Sequence, residues 1–299
     1  MDSLTLDQIR VFLSVVEEGS FPKAAKSLQR AQSAVTYAIR KLETEVGVPL
    51  FDRSAYRSVL TPAGRALLTR ARRIAEEAGA FREQARGLTN GLEAELSVVL
   101  DAFYPMPPVF DALRAFTEQF PTVPPRLYVA SLGAAADLVT DGKCAIGLLP
   151  SNVAELAALK LTPITTIKLC AVVSPSHPLA SIKGTIEAHE LRQHVQLVLT
   201  DASSLTTGVD WGVLSSRTWR LADLGAKKSM LLAGLGWGNM PAHMVEDEIK
   251  DGRLTVIQPA GSDTLTPLVL GAAYISEHGL GPAGRWMLNY LTSVASIAR

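Results

Sequence analysis

The chain has 299 residues, 47% of them hydrophobic and 19% charged, with 29 Lys and Arg against 29 Asp and Glu. That length and apolar content suffice to bury a sizeable core, predict two or three domains, and exclude a disordered or fibrous chain. No apolar run approaches the ~20 residues of a membrane span, and the acidic, polar amino terminus is unlike a signal peptide, so a cytoplasmic protein with no membrane partner is expected.

Residues 20–46, SFPKAAKSLQRAQSAVTYAIRKLETEV, predict two short helices with a tight break between them. Ser20 suits an N-cap, because its hydroxyl can accept from a free first-turn N–H, and Ala24, Ala25 and Leu28 make a slim first helix. The break falls near Gln29 to Ala31. In the second helix Val35, Ile39, Leu42 and Val46 recur at i, i+4, i+7 and i+11 as one buried stripe, and Ser33, Thr36, Tyr37 and Arg40 form the opposite one. Small hydroxyls, an aromatic and a guanidinium on an outward face can enter a DNA major groove, where they reach base edges and phosphates. The alternative is an ordinary helical hairpin with a solvated polar face.

VPLFDRSAYRSVLTPAGRALL follows as a β-hairpin wing, with Arg53 and Arg57 near its tip and Thr61-Pro62 starting a new helix. From Lys23 to Arg73 there are eleven Lys and Arg against three acids, Glu43, Glu45 and Asp52. Residues 1–90 hold 14 basic and 10 acidic residues, and residues 91–299 hold 15 and 19. A basic head on an acidic body suits a polyanion for the head alone. Residues 62–88 place Leu67, Ala71, Ile74, Ala78, Phe81, Ala85 and Leu88 at alternating steps of four and three, a heptad seam that Arg65, Arg72, Arg73, Glu76, Glu77, Arg82 and Glu83 avoid. Three heptads with alternate alanines predict a weak, close-packed coiled coil; the alternative is a helix packed on its own domain. A helix directly after a wing has little of its own domain to cover, which favours the coiled coil.

From residue 94 strands alternate with helices. ELSVVLDAF, RLYVAS and CAIGLLP are strands, with PPVFDALRAFTEQFP and GAAADLVTDGK as helices between them, the βαβαβ rhythm of a parallel sheet. TTIKLCAVVSPSHPLA leads into a second unit holding HELRQHVQLVLT, the strand TWRLAD, the helix LGAKKSMLLAGLG, the strand WGNMP and the helix AHMVEDEIKDG. TPLVLGAAYIS is a strand, and PAGRWMLNYLTSVASIA a last helix with Pro282 at its first position. Two α/β units joined by crossing strands make a hinged, bilobal body whose strand carboxyl ends face a ligand crevice.

Catalytic signatures are weak. GLGPAG at 279–284 matches GxGxxG but leaves only 15 residues, with no second strand and no acid ~20 positions on, so helix-start chemistry explains it. HExxH, CxxC, the P-loop and GxSxG do not occur, and His177, His189, His194, His243 and His278 are scattered, so neither a metal nor a cofactor is expected. Cys144 and Cys170 sit in the apolar runs CAIGLL and IKLCAVV, as buried core thiols do.

Residues 1–64 resemble the winged helix-turn-helix of LysR-type transcriptional regulators: LTLDQIRVFLSVVEEGSF, KAAKSL, AQSAVTYAIRKLETEVGVPLFDR and LTPAG follow the family's helical opening, Ala-Ala helix, "VxxxIxxLExxxGxxLFxR" and "LTxAG". The resemblance implies that Gln32, Ser33, Thr36 and Tyr37 face bases and Arg53 the backbone, beside Arg40 and Arg57, and that the helix of Leu67, Ala71, Ile74, Ala78 and Phe81 dimerises. Ala31-Gln32-Ser33 stands where the family commonly has Ser-Gln-Pro, and Tyr37 where Arg or Gln is frequent, so the groove-facing chemistry is unusual. AGLGWGNMPAHMVEDEIKDGRL is similar to the family's "aGlGia.lP...v...l..G.L". That implies a body similar to periplasmic binding proteins, with a small effector between lobes lined by Asp101, Phe103, Tyr104, Ser131, Leu132, Pro150, Thr200 and Ser203. Asp101 fits a capping or salt-bridged carboxylate better than a ligand group, and the remaining walls predict a partly aromatic or apolar metabolite held by few hydrogen bonds.

The expected organisation is a winged helix-turn-helix over 1–61, a linker helix over 62–90 and an α/β effector-binding body over 91–299. Lobe I takes about 91–163 and 268–299, and lobe II about 164–267. Expected partners are double-stranded operator DNA, a small-molecule effector, RNA polymerase and further copies of the chain in a homodimer or homotetramer. The competing reading is a stand-alone bilobal solute-binding module or enzyme whose helical head serves only association.

Overall fold

In the computed structural model, which describes residues 4–52, 59–261, 264–276 and 279–297, the chain forms two compact units, Met1–Asn90 and Gly91–Arg299. In the first, α1 (Leu6–Glu18) opens on a capping box: the Thr5 hydroxyl accepts from Gln8 N, and Gln8 Oε1 accepts from Thr5 N at 2.8 Å. Ser20 caps α2 (Phe21–Ser27) by accepting from Lys23 N, with Ala24 and Ala25 buried beneath it. The turn into α3 (Gln32–Val46) carries Gln29 in the left-handed region at φ 53°. Val35, Ile39 and Leu42 pack with Ile9, Val11, Phe12 and Val15 of α1 in one core, and Phe12 and Phe21 both meet Phe51 edge-on.

β1 (Phe51–Asp52) and β2 (Val59–Leu60) pair antiparallel as the stem of the wing. Arg53 and Arg57, assigned to its tip, lie outside the described residues. Glu43 ties this stem to α3 by accepting from Leu50 N at 2.8 Å and Phe51 N at 3.2 Å. Thr61 caps α4 (Pro62–Thr89) by accepting from Gly64 N. A Cβ at Gly64 would collide with the Leu50 carbonyl oxygen, so glycine is what lets α4 lie this close to the wing.

α4 runs about 42 Å at 1.5 Å per residue, and its heptad divides. Leu67, Leu68 and Ala71 belong to the core of this unit, where α4 packs on α1. Ile74, Phe81 and Leu88 stay exposed. The expectation of a seam free from Leu67 onward is corrected: the first turns do have their own domain to cover, and that domain is α1.

In the second unit β3 (Leu96–Asp101), β4 (Pro125–Ala130) and β5 (Ile146–Pro150) run parallel in the order β4-β3-β5. α5 (Met106–Gln119) and α6 (Gly133–Thr140) make the crossovers. Alternation along β3 divides the core: Leu96, Val98 and Leu100 join Phe116 and Met287 on one face, and Val99 joins Ala135, Ala136 and Val139 on the other. α7 (Ser151–Leu156) follows β5, and β6 (Lys160–Val173) then leaves for the second lobe. There β7 (Thr185–Ile186), α8 (Ala188–Leu191), β8 (Gln196–Leu199), β9 (Thr218–Leu221), α9 (Leu224–Leu232), β10 (Gly238–Pro241), α10 (Ala242–Lys250) and β11 (Thr255–Pro259) follow in order.

β12 (Thr266–Tyr274) returns antiparallel to β6, from Thr266 opposite Leu169 to Tyr274 opposite Lys160, with a register shift at Leu270/Gly271. Leu270–Ala273 also pair with β5, and Leu169–Val173 with β10 and β11, so these two strands cross from one lobe to the other inside one sheet. The chain ends in α11 (Pro282–Ile297).

Glu93 fixes the start of α11, accepting from Ala283 N at 3.0 Å and Gly284 N at 2.8 Å. A carboxylate on a helix N-terminus satisfies free N–H groups and opposes the dipole. Glu93→Ala should therefore lower the stability of this unit by ~1–2 kcal/mol, measured as a fall in the urea midpoint. An unchanged midpoint would show that water caps the helix equally well.

Candidate functional site

α3 presents two opposite faces. Val35, Ile39 and Leu42 are at most 2% exposed, while Gln32, Ser33, Tyr37 and Arg40 face solvent and Thr36 is half-buried. Tyr37 is 68% exposed, unusual for an aromatic side chain. Ala31 caps α3 without a side-chain bond, so the side-chain acceptor that usually covers a helix start is replaced by a bare amino terminus of the kind that binds phosphate oxygens. Not every cation nearby is available. Arg30 is held by Asp7 in a bidentate pair, 2.8 Å at both oxygens, which pulls the Asp7 carboxyl below its ordinary range.

A cavity of about 540 Å³ lies at the carboxyl ends of β5 and β8, within the size of small-ligand sites. Phe103, Leu132, Pro150, Thr200 and Ser203 line it. Asp101, Tyr104 and Ser131 do not; they border a second, shallower hollow beside Met106, Val129 and His243. Resemblance by position locates a strand end but not the side to which each side chain turns. Tyr104 is packed into the core against Phe116 and Leu280, and burial pushes its phenol up to about 12.

Asp101 is 1% exposed and accepts from Phe103 N at 2.9 Å and Leu132 N at 2.7 Å. It holds the turn after β3 rather than a ligand. Its hydrogen bond also restrains Leu132, whose φ of 51° is left-handed for a residue with a branched side chain.

The cavity wall is more charged than its aligned positions suggested. Asp201, Asp210, Arg220 and Lys227 all border it. Asp201 accepts from Ser203 N and the Thr206 hydroxyl of its own loop and from Ala134 N at the start of α6. Arg220 and Asp210 hold each other through bonds of 2.8 and 2.9 Å. Lys227 is 4% exposed, and its ammonium donates to Asn239 O at 2.7 Å. Burial pulls it down to about 8. Nothing in AKKSML distinguishes Lys227 from a solvated helix lysine; the signal lies in the fold, which brings Gly238 against its stem.

Other candidate chemistry is absorbed by structure. The helix start within GLGPAG already carries a carboxylate, that of Glu93. Cys144 and Cys170 are each 2% exposed, and burial pushes both thiols up to about 11, away from reactivity. Among the described residues no group of three or more His, Cys, Asp or Glu could hold a metal ion, and no helix is long and apolar enough to cross a membrane.

Residues 6–65 match the family model described as the bacterial regulatory helix-turn-helix protein, lysR family, and residues 89–296 match that of the LysR substrate binding domain. The HTH-type transcriptional regulator YhaJ of Escherichia coli is 28% identical over 293 residues, covering 96% of this chain and 95% of that protein. The HTH-type transcriptional activator AllS of Klebsiella pneumoniae is 28% identical over 276 residues, covering 90% and 98%. A cysteine mutant of Corynebacterium glutamicum OxyR shares the fold, with a TM-score of 0.53 and 23% identity over 98% of this chain and 94% of that one.

Proposed function

The chain belongs to the LysR family of DNA-binding transcriptional regulators, and from that premise we propose that α3 reads operator bases while the cavity of the α/β body takes the effector. The observation that carries this reading is the two-faced α3, whose Val35, Ile39 and Leu42 are taken up by the core and whose Gln32, Ser33, Tyr37 and Arg40 face solvent. Gln32, Ser33, Thr36 and Tyr37 supply base-edge contacts and Arg40 a phosphate contact, with Arg53 and Arg57 extending the contacts along the backbone. The apolar positions Ile74, Ala78 and Phe81 of α4 join two copies, and the promoter-bound assembly, in the cytoplasm, has RNA polymerase as its further partner. An effector acts by binding one arrangement of the lobes better than another, since only differential affinity can shift such an equilibrium.

The test uses a duplex selected from a random pool by the full-length protein. Gln32→Ala should lose ~1–3 kcal/mol of discrimination at one base pair and keep its affinity for random duplex. Arg40→Ala should instead weaken both duplexes and flatten the salt dependence by about one phosphate contact. Equal losses on the two duplexes for Gln32→Ala would remove it from the readers.

A further inference from the structure

Lys227 stands apart from the other charges of the cavity. Asp210 and Arg220 neutralise each other, and three donors hold Asp201. The Lys227 ammonium, by contrast, has the Asn239 carbonyl as its hydrogen-bond acceptor and no carboxylate at ion-pair distance among the described residues. An ammonium carries three donors, and a single protein acceptor, Asn239 O, takes one of them. The backbone is shaped around it: a Cβ at Gly238 would lie 3.2 Å from Lys227 Cε. On the first lobe, Asn152 follows Pro150 into the same cavity, and its buried side-chain oxygen has no hydrogen-bond partner among the described residues.

A buried charge lacking a counter-charge costs the folded chain stability. That cost falls when an anion enters. Part of the wall is apolar, formed by Phe103, Leu132, Leu169 and Leu268. We propose that the cavity takes a small organic monoanion, with its carboxylate on Lys227 Nζ, an apolar or aromatic body against Phe103 and Leu268, and a hydrogen-bonding group on Asn152. A single negative charge is specified because one cation lacks a counter-charge and the Asp201 carboxylate on the same wall repels a second. This assignment rests on the reading of the cavity as the effector site. Burial also lowers the proton affinity of Lys227, to about 8, and an adjacent carboxylate would restore it.

The test is a thermal-shift panel on the full-length protein, in which metabolite carboxylates headed by phenylacetate and octanoate are each set beside their neutral primary amide. Binders should be carboxylates, each held at least tenfold more tightly than its amide. Lys227→Met should lose that tenfold preference and Lys227→Arg should keep it. Without ligand, Lys227→Met should melt at or above the wild-type temperature, because it replaces a buried charge with an apolar side chain of similar length. That separates lost binding from lost folding; should Lys227→Met fail to fold, Lys227→Gln carries the comparison. Amides that bind as well as acids, or acids that bind Lys227→Met as tightly as wild type, would overturn the anion assignment and leave the effector cavity standing. A panel in which nothing shifts the melting temperature would overturn both.

Discussion

Phe81→Asp should leave each chain folded and separate the chains from one another. Phe81 is 73% exposed within its own chain, and Ile74 and Leu88 are 38% and 48% exposed, so this stripe of α4 keeps apolar surface that the first unit's core does not take up. In a two-fold dimer one substitution acts twice. Each copy loses the burial of a phenylalanine, ~1.5–3 kcal/mol, and places a carboxylate at an apolar contact. The dimer should weaken by on the order of a thousandfold or more, since each 1.4 kcal/mol is a factor of ten. Sedimentation at micromolar concentration should show monomers with unchanged helicity. Affinity for the selected operator should fall with the dimer, because half-site spacing is set by the pair. Ala71→Asp gives the contrast: at 2% exposure in the core of the first unit, it should unfold the head instead. An unchanged oligomer for Phe81→Asp would refute the seam, and a change from tetramer to dimer would show that other contacts hold the pair.

The divided fate of the α4 heptad shows what periodicity conveys. Leu67, Ala71, Ile74, Ala78 and Phe81 obey one rule of spacing, and spacing marks a side to be buried without saying by what. α1 takes the first two and leaves Ile74 and Phe81. In α3 the same logic succeeded fully, because Val35, Ile39 and Leu42 had only one core to enter. Short elements escaped: the six residues of α7 and the five of β11 are less than a period can establish.

The cavity was legible at Phe103, Leu132, Pro150, Thr200 and Ser203, which sit at or beyond the ends of strands. Its charge was not, because Lys227 and Lys228 are adjacent in sequence and differ only in surroundings. Lys228 reaches Glu248 at 2.7 Å, and Lys227 turns inward to the carbonyl of Asn239. No local pattern separates these two outcomes, since both depend on which face of α9 meets β8 and β10. Only tertiary packing decides it.

Asp101→Asn should destabilise the body, and the loss should depend on pH in a direction that identifies the cause. Two backbone donors, Phe103 N and Leu132 N, point at the two carboxylate oxygens. Asparagine would set an N–H against one of them, leaving a buried donor unsatisfied at ~1–3 kcal/mol. Burial pushes the Asp101 carboxyl from 3.8 up to about 6, and the charge of Asp201 adds to the rise while the two N–H groups oppose it. With the folded value above the unfolded one, the folded chain binds the proton more tightly. The stabilisation is therefore fully present below about pH 4 and is lost as pH rises through about 6. A rise of about two pH units corresponds to ~3 kcal/mol in all, of which roughly 1 kcal/mol falls between pH 5 and 7. Urea unfolding of both proteins should show the advantage of Asp101 over Asn shrinking by that amount from pH 5 to pH 7. An advantage that grows with pH would mean that the two N–H bonds outweigh burial and that Asp101 is an ordinary ionised cap. Because Leu132 lines the cavity in a left-handed conformation held by this carboxylate, Asp101→Asn should also weaken ligand binding at pH 7 although Asp101 itself does not line the cavity.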